Sequence, residues 1–581
     1  MGITRRQFIT AAGIMAAGVS LTGISGCAST NTGSSAGQAT KKESSTTVKV
    51  ANGTLKGTTE SNGVYVWKGV PYAKAPVGEL RWKPTEAPDE SDAEIDCTKF
   101  GYGSVQFLLT FNGVTPDFEV NEDCLNLNIW AADTTTEKKA VMIYFHGGGY
   151  GWESGADAMF NGANFVKTYP DVIMITTNYR LGMYGFIDLS SVPGGEDYPE
   201  SGHLGILDQL QAIRWVKENI ENFGGDPDNI TIFGESAGAG SITTMLTMDF
   251  EEGLFQRAIM QSGGLSLTNE QHGYDVVGLT DALLAKTGCK TMEELVAISS
   301  DDLMNMYLEK DENGRCLNDR ICMPLRNDNG IPLDGYKAIK ESANAKNIDI
   351  MVGATADEYN YWLEEIAGGM NTSNLEEAKP TFTEQLLDPH VNHTISFMSD
   401  EQKANLEKYW ACLPESFGHY EQYCEYVNDI IFRVPSLMNA ADHADAGGNS
   451  YAYYFAKQST TPGLKACHSV EVAYVFNNTD QTKFAGTVDT DLAAKVSNMW
   501  ANFARTGDPS IDEVKWEKYD SETRKTLVIG NDNSLKMEDD YLGEQRKYME
   551  DFVKNGHHWE LAANICGWYT ANFSDLWIDG K

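Results

Sequence analysis

Basic side chains are scarce in this 581-residue chain: 45 lysines and arginines stand against 83 aspartates and glutamates, a formal net charge of −38. So few cations cannot neutralise a phosphate backbone, which excludes nucleic acid as a partner. So much acid reads instead as a soluble surface that resists adhesion. No repeat of fixed period is present, so a solenoid or propeller is set aside. No HExxH, CxxC or Walker sequence occurs, so neither a metal nor a nucleotide is implied and no cofactor is expected. Of ten cysteines, one belongs to an N-terminal signal described below. The remaining odd, scattered set does not describe a disulfide scaffold. Cys289, Cys316, Cys322, Cys412, Cys424, Cys467 and Cys566 read as small buried hydrophobes. A long apolar run is also missing: the best candidate, 11–24, is too short and too rich in small residues to span a bilayer. With 41% hydrophobic residues the chain can bury a large core. Its length suits one large α/β domain with insertions, or two to four average domains.

The N-terminus reads as an address. Thr4-Arg5-Arg6-Gln7-Phe8-Ile9 resembles a twin-arginine export signal, and Ile24-Ser25-Gly26-Cys27 resembles a bacterial lipobox with Cys27 as the lipidated residue. Residues 1–26 are therefore expected to be a signal peptide, 27–46 a flexible Ser/Thr/Gly-rich tether, and 47–581 a single folded domain. The expected location is extracytoplasmic, on a bacterial membrane. A body this acidic would not adhere to anionic lipid by charge, so the membrane contact is expected only through the N-terminal lipid.

The most informative stretch is Ile230-Thr231-Ile232-Phe233-Gly234-Glu235-Ser236-Ala237-Gly238, an apolar strand entering G-x-S-x-G, with a helical pattern over 237–248. Among 55 glycines the pentapeptide alone carries little weight. The flanking strand and helix supply the context a nucleophilic serine requires: a turn so sharp that its hydroxyl is pushed clear of the backbone. Glycine is demanded at 234 and 238 by the tightness of that turn. The helix N-terminus aims free N–H groups and a positive dipole end at charge developing near Ser236. Upstream, the buried-strand run 140–145 ends in His146-Gly147-Gly148-Gly149. Consecutive glycines let the backbone approach a substrate and present bare amides to an oxyanion.

Together these segments resemble the type B carboxylesterases, the family of carboxylesterases, cholinesterases and bacterial para-nitrobenzyl esterases. The likeness spans nearly the whole body from about residue 48. Further markers appear in the family's order: Gly69-Val70-Pro71-Tyr72-Ala73 with Leu80-Arg81-Trp82, Glu122-Asp123-Cys124-Leu125-Asn126-Leu127-Asn128, Asn178-Tyr179-Arg180-Leu181-Gly182, and Leu207-Asp208-Gln209. The resemblance implies an α/β-hydrolase fold, with a large, mostly parallel, twisted central sheet, helices on both faces and helical lid insertions. It implies an oxyanion hole from Gly148, Gly149 and Ala237. The acid falls in Gly353-Ala354-Thr355-Ala356-Asp357-Glu358-Tyr359 as Glu358, with Asp357 as the fallback and Tyr359 replacing the family's glycine. The base falls in Lys465-Ala466-Cys467-His468-Ser469-Val470-Glu471-Val472 as His468, where Lys465 and Val472 depart from the pattern. Without the resemblance, seven histidines follow Glu358 and none stands out.

The resemblance also implies ion pairs Arg81–Glu122 and Arg180–Asp208 bracing loops, support of the triad by Glu235 and Ser262, and a disulfide between Cys97 and Cys124. His203 and Asn126 depart from the family at positions away from the chemistry. Segments 271–347 and 371–419 carry no legible motif and are expected to be helical lids that set substrate choice. The expected activity is hydrolysis of a small-molecule ester by a Ser-His-Glu triad through an acyl-enzyme. Protonation of the base is expected to stop turnover on the acid side. Two alternatives share the motifs: a hydrolase of lactones, thioesters or amides on the same site, and a non-catalytic binding module of the cholinesterase kind.

Overall fold

The computed structural model describes residues 44–555, apart from 109–114, 268, 271–277, 312–315, 321–322, 328, 362–391, 393–394, 396–398 and 481–482. The signal segment, Cys27, Cys322 and Cys566 lie outside the described residues. The chain divides into units Met1–Lys42 and Glu43–Lys581, and only the second is considered below. Residues 44–46, expected in the tether, belong to the body. Ser45 N–H donates to Thr134 Oγ1 at 3.1 Å, and the Trp67 indole donates to the Thr46 carbonyl at 2.8 Å.

The body is built on an eleven-stranded sheet. In chain order its strands are β1 (Thr58–Thr59), β2 (Tyr65–Pro71), β3 (Asn126–Ala131), β4 (Lys139–Phe145), β5 (Val172–Thr177), β6 (Gly225–Glu235), β7 (Arg257–Gln261), β8 (Asp349–Thr355), β9 (Ser450–Phe455), β10 (Thr526–Ile529) and β11 (Leu535–Glu538). Their spatial order is β11-β10-β9-β8-β7-β6-β4-β5-β3-β2-β1. The run from β10 to β5 is parallel throughout, and antiparallel strands close both edges.

The central strands are apolar on both faces because helices cover both. All seven residues of β4 are buried. Val141, Ile143 and Phe145 join one core with Ile230, Ile232 and Val352, while Ala140, Met142 and Tyr144 join the other with Phe233 and Met351. Helices α1 (Leu204–Asn219), α2 (Ala237–Thr247) and α3 (Val434–Asp445) pack on the first face, through Ile206, Leu210, Ile242, Met245 and Leu437. Helix α4 (Thr490–Thr506) packs on the second, through Val496, Met499, Trp500 and Phe503. Each such side chain contributes roughly 1.5–3 kcal/mol on full burial.

Within 271–347 the described residues include helices Leu279–Thr287, Met292–Val296 and Ser300–Leu308, as expected. They pack over a third core containing Trp82, Tyr184, Leu283, Leu295 and Leu303. Of 371–419, the described part contains helix Asp400–Ala411. Both expected ion pairs are formed and buried. Arg180 grips Asp208 through Nε at 2.8 Å and Nη2 at 2.7 Å, and Arg81 grips Glu122 through Nη2 at 2.8 Å. His203 is buried, and burial pushes it down to about 4. Asn126 spends its amide on the Tyr102 carbonyl at 2.8 Å.

One expectation is corrected. Cys97 and Cys124 are both buried free thiols and form no disulfide. Burial pushes the Cys97 thiol up to about 12 and Cys124 higher still.

Candidate active site

Strand β6 ends at Glu235 and helix α2 begins at Ala237, so Ser236 alone makes the turn, with φ 54° and ψ −122°. A side chain held in that region costs on the order of 1–3 kcal/mol and persists only where its surroundings insist. Here Ser236 N–H donates to the Gln261 carbonyl, and Gly240 N–H donates to the Ser236 carbonyl, both at 2.9 Å. The turn closes because its neighbours have no Cβ: one on Gly238 would lie 2.0 Å from the Phe145 carbonyl oxygen, and one on Gly234 would lie 2.7 Å from the Gly238 carbonyl carbon. Ala237 opens the helix, where backbone amides have no partner within it.

The glycine loop leaves the end of the adjacent strand β4. Gly148 and Gly149 take positive φ, 79° and 57°. A Cβ on Gly148 would lie 2.3 Å from the Trp152 carbonyl oxygen, so the loop turns only with glycine there. A Cβ on Gly147 would lie 3.1 Å from Cβ of Ser236, which sets this loop directly against the serine.

Glu358 follows strand β8 by three residues and is fully buried. Its Oε1 accepts from Ser262 Oγ and from Thr355 N–H, each at 2.6 Å. Its Oε2 lies 2.5 Å from Nδ1 of His468, which sits in the loop after β9. The His468 amide donates to the Glu358 carbonyl at 3.2 Å, so main chain and side chain are fixed together. The opposite ring nitrogen, Nε2, stands 3.1 Å from Oε1 of Glu235, the residue immediately before the serine. Asp357 is engaged elsewhere: it accepts from the Ala466 amide at 3.1 Å and faces Lys465 at 3.4 Å. The acid beside the imidazole is Glu358.

Serine, glycine loop, acid and histidine thus leave the C-terminal ends of β6, β4, β8 and β9, where open parallel sheets present their ligand sites. Residues 44–549 match the family model described as the Carboxylesterase family. This chain belongs to the carboxylesterase family. It is 33% identical to the para-nitrobenzyl esterase of Bacillus subtilis (strain 168), across 85% of this chain and 96% of that one. It is 30% identical to carboxylesterase 5A of Felis catus, across 78% of this chain and 84% of the relative. The solved Geobacillus stearothermophilus carboxylesterase EST55 superposes with a TM-score of 0.72 at 33% identity, covering 87% of this chain and 100% of that one. The fold is that of the α/β-hydrolases, and the activity is serine carboxylic-ester hydrolysis.

In this carboxylesterase the histidine also has aromatic and acidic company that motif reading missed. The Phe432 ring centre lies 4.7 Å from the imidazole, and the Tyr361 ring packs edge-on at 5.7 Å. Phe432 is placed by a π-helical turn, Asn428–Arg433. Such turns widen a helix by one residue and re-aim its side chains.

Two buried glutamates, Glu235 and Glu471, and the half-buried Glu153 surround this cluster besides Glu358. Glu235 accepts from Ser469 Oγ at 2.8 Å, and burial, reinforced by Glu153, holds its carboxyl well above the usual range. Glu471 accepts from Gln261 at 3.3 Å, and burial beside Glu235 and Glu358 pushes it up to about 8. Glu153, just past the glycine loop, is raised by burial. His146 at the head of that loop is pushed down to about 3 by burial, so it remains neutral under the stacked Tyr179 ring. The only sequence signal for Glu471 was its place in the histidine segment. Glu153 and Phe432 gave none.

Proposed function

We propose that Ser236 is the nucleophile, His468 the general base and Glu358 the acid that orients it, in two-step acyl transfer from a small-molecule ester. His468 accepts the Ser236 proton as the hydroxyl attacks the ester carbonyl, then delivers it to the departing alcohol. Water activated by the same imidazole then clears the acyl-enzyme. Amides of Gly148, Gly149 and Ala237 hold the oxyanion, each such donor contributing roughly 2.7–4 kcal/mol at the transition state. Glu358, with both oxygens engaged, fixes the tautomer that leaves Nε2 unprotonated for the serine.

The observation that carries this reading is the 2.5 Å contact between Glu358 and His468 Nδ1. The other ring nitrogen faces Glu235, the residue immediately before Ser236. Fluorophosphonate labelling, followed by an ester panel, tests it. Wild type should label stoichiometrically and hydrolyse esters, while Ser236→Ala should do neither. A labelled Ser236→Ala protein would remove the serine from the mechanism. Running lactones, thioesters and amides beside esters of graded chain length identifies the preferred acyl bond.

The same proposal extends to location. The twin-arginine-like segment and Cys27 support export and attachment to a bacterial membrane by lipid. A Cys27→Ala protein should leave the detergent phase on phase partitioning, where the full-length protein should be retained.

A further inference from the structure

Helix His419–Val427 runs into α3 through the π-helical turn Asn428–Arg433. The helix widens where a proline follows. Pro435 has no N–H to return to the Ile431 carbonyl four residues back, and Ser266 Oγ donates to that carbonyl instead. A buried ion pair spans the turn. Arg433 grips Asp429 through Nε at 2.5 Å and Nη2 at 2.7 Å, and the Tyr409 hydroxyl donates to Asp429 at 2.9 Å.

Asn428 and Phe432 are also four residues apart, a spacing that puts side chains on one face of a helix. Both reach the triad. Phe432 packs on the His468 ring. Asn428, 4% exposed, gives its side-chain amide to the backbone of the segment that carries the acid. Its Oδ1 accepts from the Tyr359 N–H at 2.9 Å, and its Nδ2 donates to the Ala356 carbonyl at 3.2 Å. Those two residues flank Asp357-Glu358, so one side chain clamps the segment at both ends. The partners fix which way the amide points, since an N–H must donate and a carbonyl must accept. Between the clamped ends, the Asp357 N–H donates to the Ala466 carbonyl at 2.9 Å, and the His468 N–H donates to the Glu358 carbonyl at 3.2 Å. Acid segment, histidine segment and π-turn are therefore one hydrogen-bonded assembly.

We propose that Asn428 is a positioning residue for the triad acid, holding the main chain on both sides of Glu358 so that its carboxyl meets His468 at a fixed separation. That separation, 2.5 Å from Oε2 to Nδ1, leaves little latitude. A misplacement of about 1 Å can cost on the order of a hundredfold in rate. Ser262 and Thr355 still hold Oε1 when the clamp is lost, so the acid is loosened rather than released.

This inference rests on the Ser236, His468 and Glu358 assignment, so its test carries a separate check on that assignment. Steady-state hydrolysis of an activated aryl ester is measured for wild type, Asn428→Ala, Glu358→Gln and the double variant, each titrated with fluorophosphonate so that only competent enzyme is counted. Asn428→Ala should lower kcat about tenfold with KM within about twofold. In the Glu358→Gln background the same substitution should change kcat less than about twofold, because the group through which Asn428 acts is already gone. Asn428→Leu, which keeps the volume and removes both hydrogen bonds, supplies a second cycle if alanine unfolds the turn. Wild-type kcat in Asn428→Ala or Asn428→Leu overturns the proposal, as does a tenfold loss that persists undiminished without Glu358. Wild-type kcat in Glu358→Gln alone would instead strike the triad assignment, and this inference with it.

Discussion

Ser262 shows how much a single hydroxyl can matter here. It holds a φ of 52° and donates to Oε1 of Glu358 at 2.6 Å, so one strained residue aims the acid that aims the base. A hydrogen bond to a charged or highly polar partner contributes roughly 1.5–3 kcal/mol. Ser262→Ala should therefore lower kcat about tenfold with KM nearly unchanged, a split read directly from steady-state kinetics. Glu471 makes a residue-scale prediction about stability. Its carboxyl is raised from the ordinary 4.5 to about 8 in the fold. Between those values the folded chain binds the proton more tightly than the unfolded one, so stability declines as pH rises through that window. Thermal melts should show Tm falling from pH 5 toward pH 8 in wild type, and Glu471→Gln should flatten the fall.

Elements are positioned by contacts with little tolerance. Helix α2 approaches strand β4 so closely that a Gly238 Cβ would sit 2.0 Å from the Phe145 carbonyl oxygen, a rigid main-chain atom. Overpacking of this kind costs roughly 1–3 kcal/mol, occasionally more. Gly238→Ala should lower Tm measurably and cut activity more than stability, because the turn carrying Ser236 is what must move. Loop anchoring follows electrostatic logic. Arg81 holds Glu122 and also donates to the Val296 and Ile298 carbonyls at 3.2 and 2.8 Å, tying the helical insertion to the body. Arg81→Met strands a buried carboxylate and should cost about 3–5 kcal/mol in denaturant unfolding. A double variant that also carries Glu122→Leu should recover much of that loss.

At the scale of the whole molecule, the catalytic body is residues 43–581, a unit separate from the N-terminal segment. A protein beginning at residue 44 should hydrolyse soluble esters with the full-length kcat while losing membrane association, as a fractionation assay would show. Its surface carries the acidic excess, so its association with anionic vesicles should stay negligible even at low salt.

What could be read without coordinates was what is written locally. The strand-turn-helix around Ser236 is legible because glycine, serine and apolar residues must follow one another at fixed spacing to make such a turn. The glycine loop is legible for the same reason. Glu358 and His468 came from resemblance rather than from spacing: they lie 110 residues apart, and no periodicity brings them together. Glu153 and Phe432 were silent because nothing in sequence announces a positive φ or a π-helical turn. The Ser469–Glu235 contact joins residues 234 positions apart. The expected disulfide failed for a related reason, since the resemblance supplied the pairing and the surroundings left both sulfurs as buried thiols. The order of residues thus determined the class of chemistry and the turn that bears the nucleophile, because those depend on neighbours along the backbone. Only the folded sheet decided which acids gather around the imidazole and whether they hold protons, because burial and long-range electrostatics depend on neighbours in space.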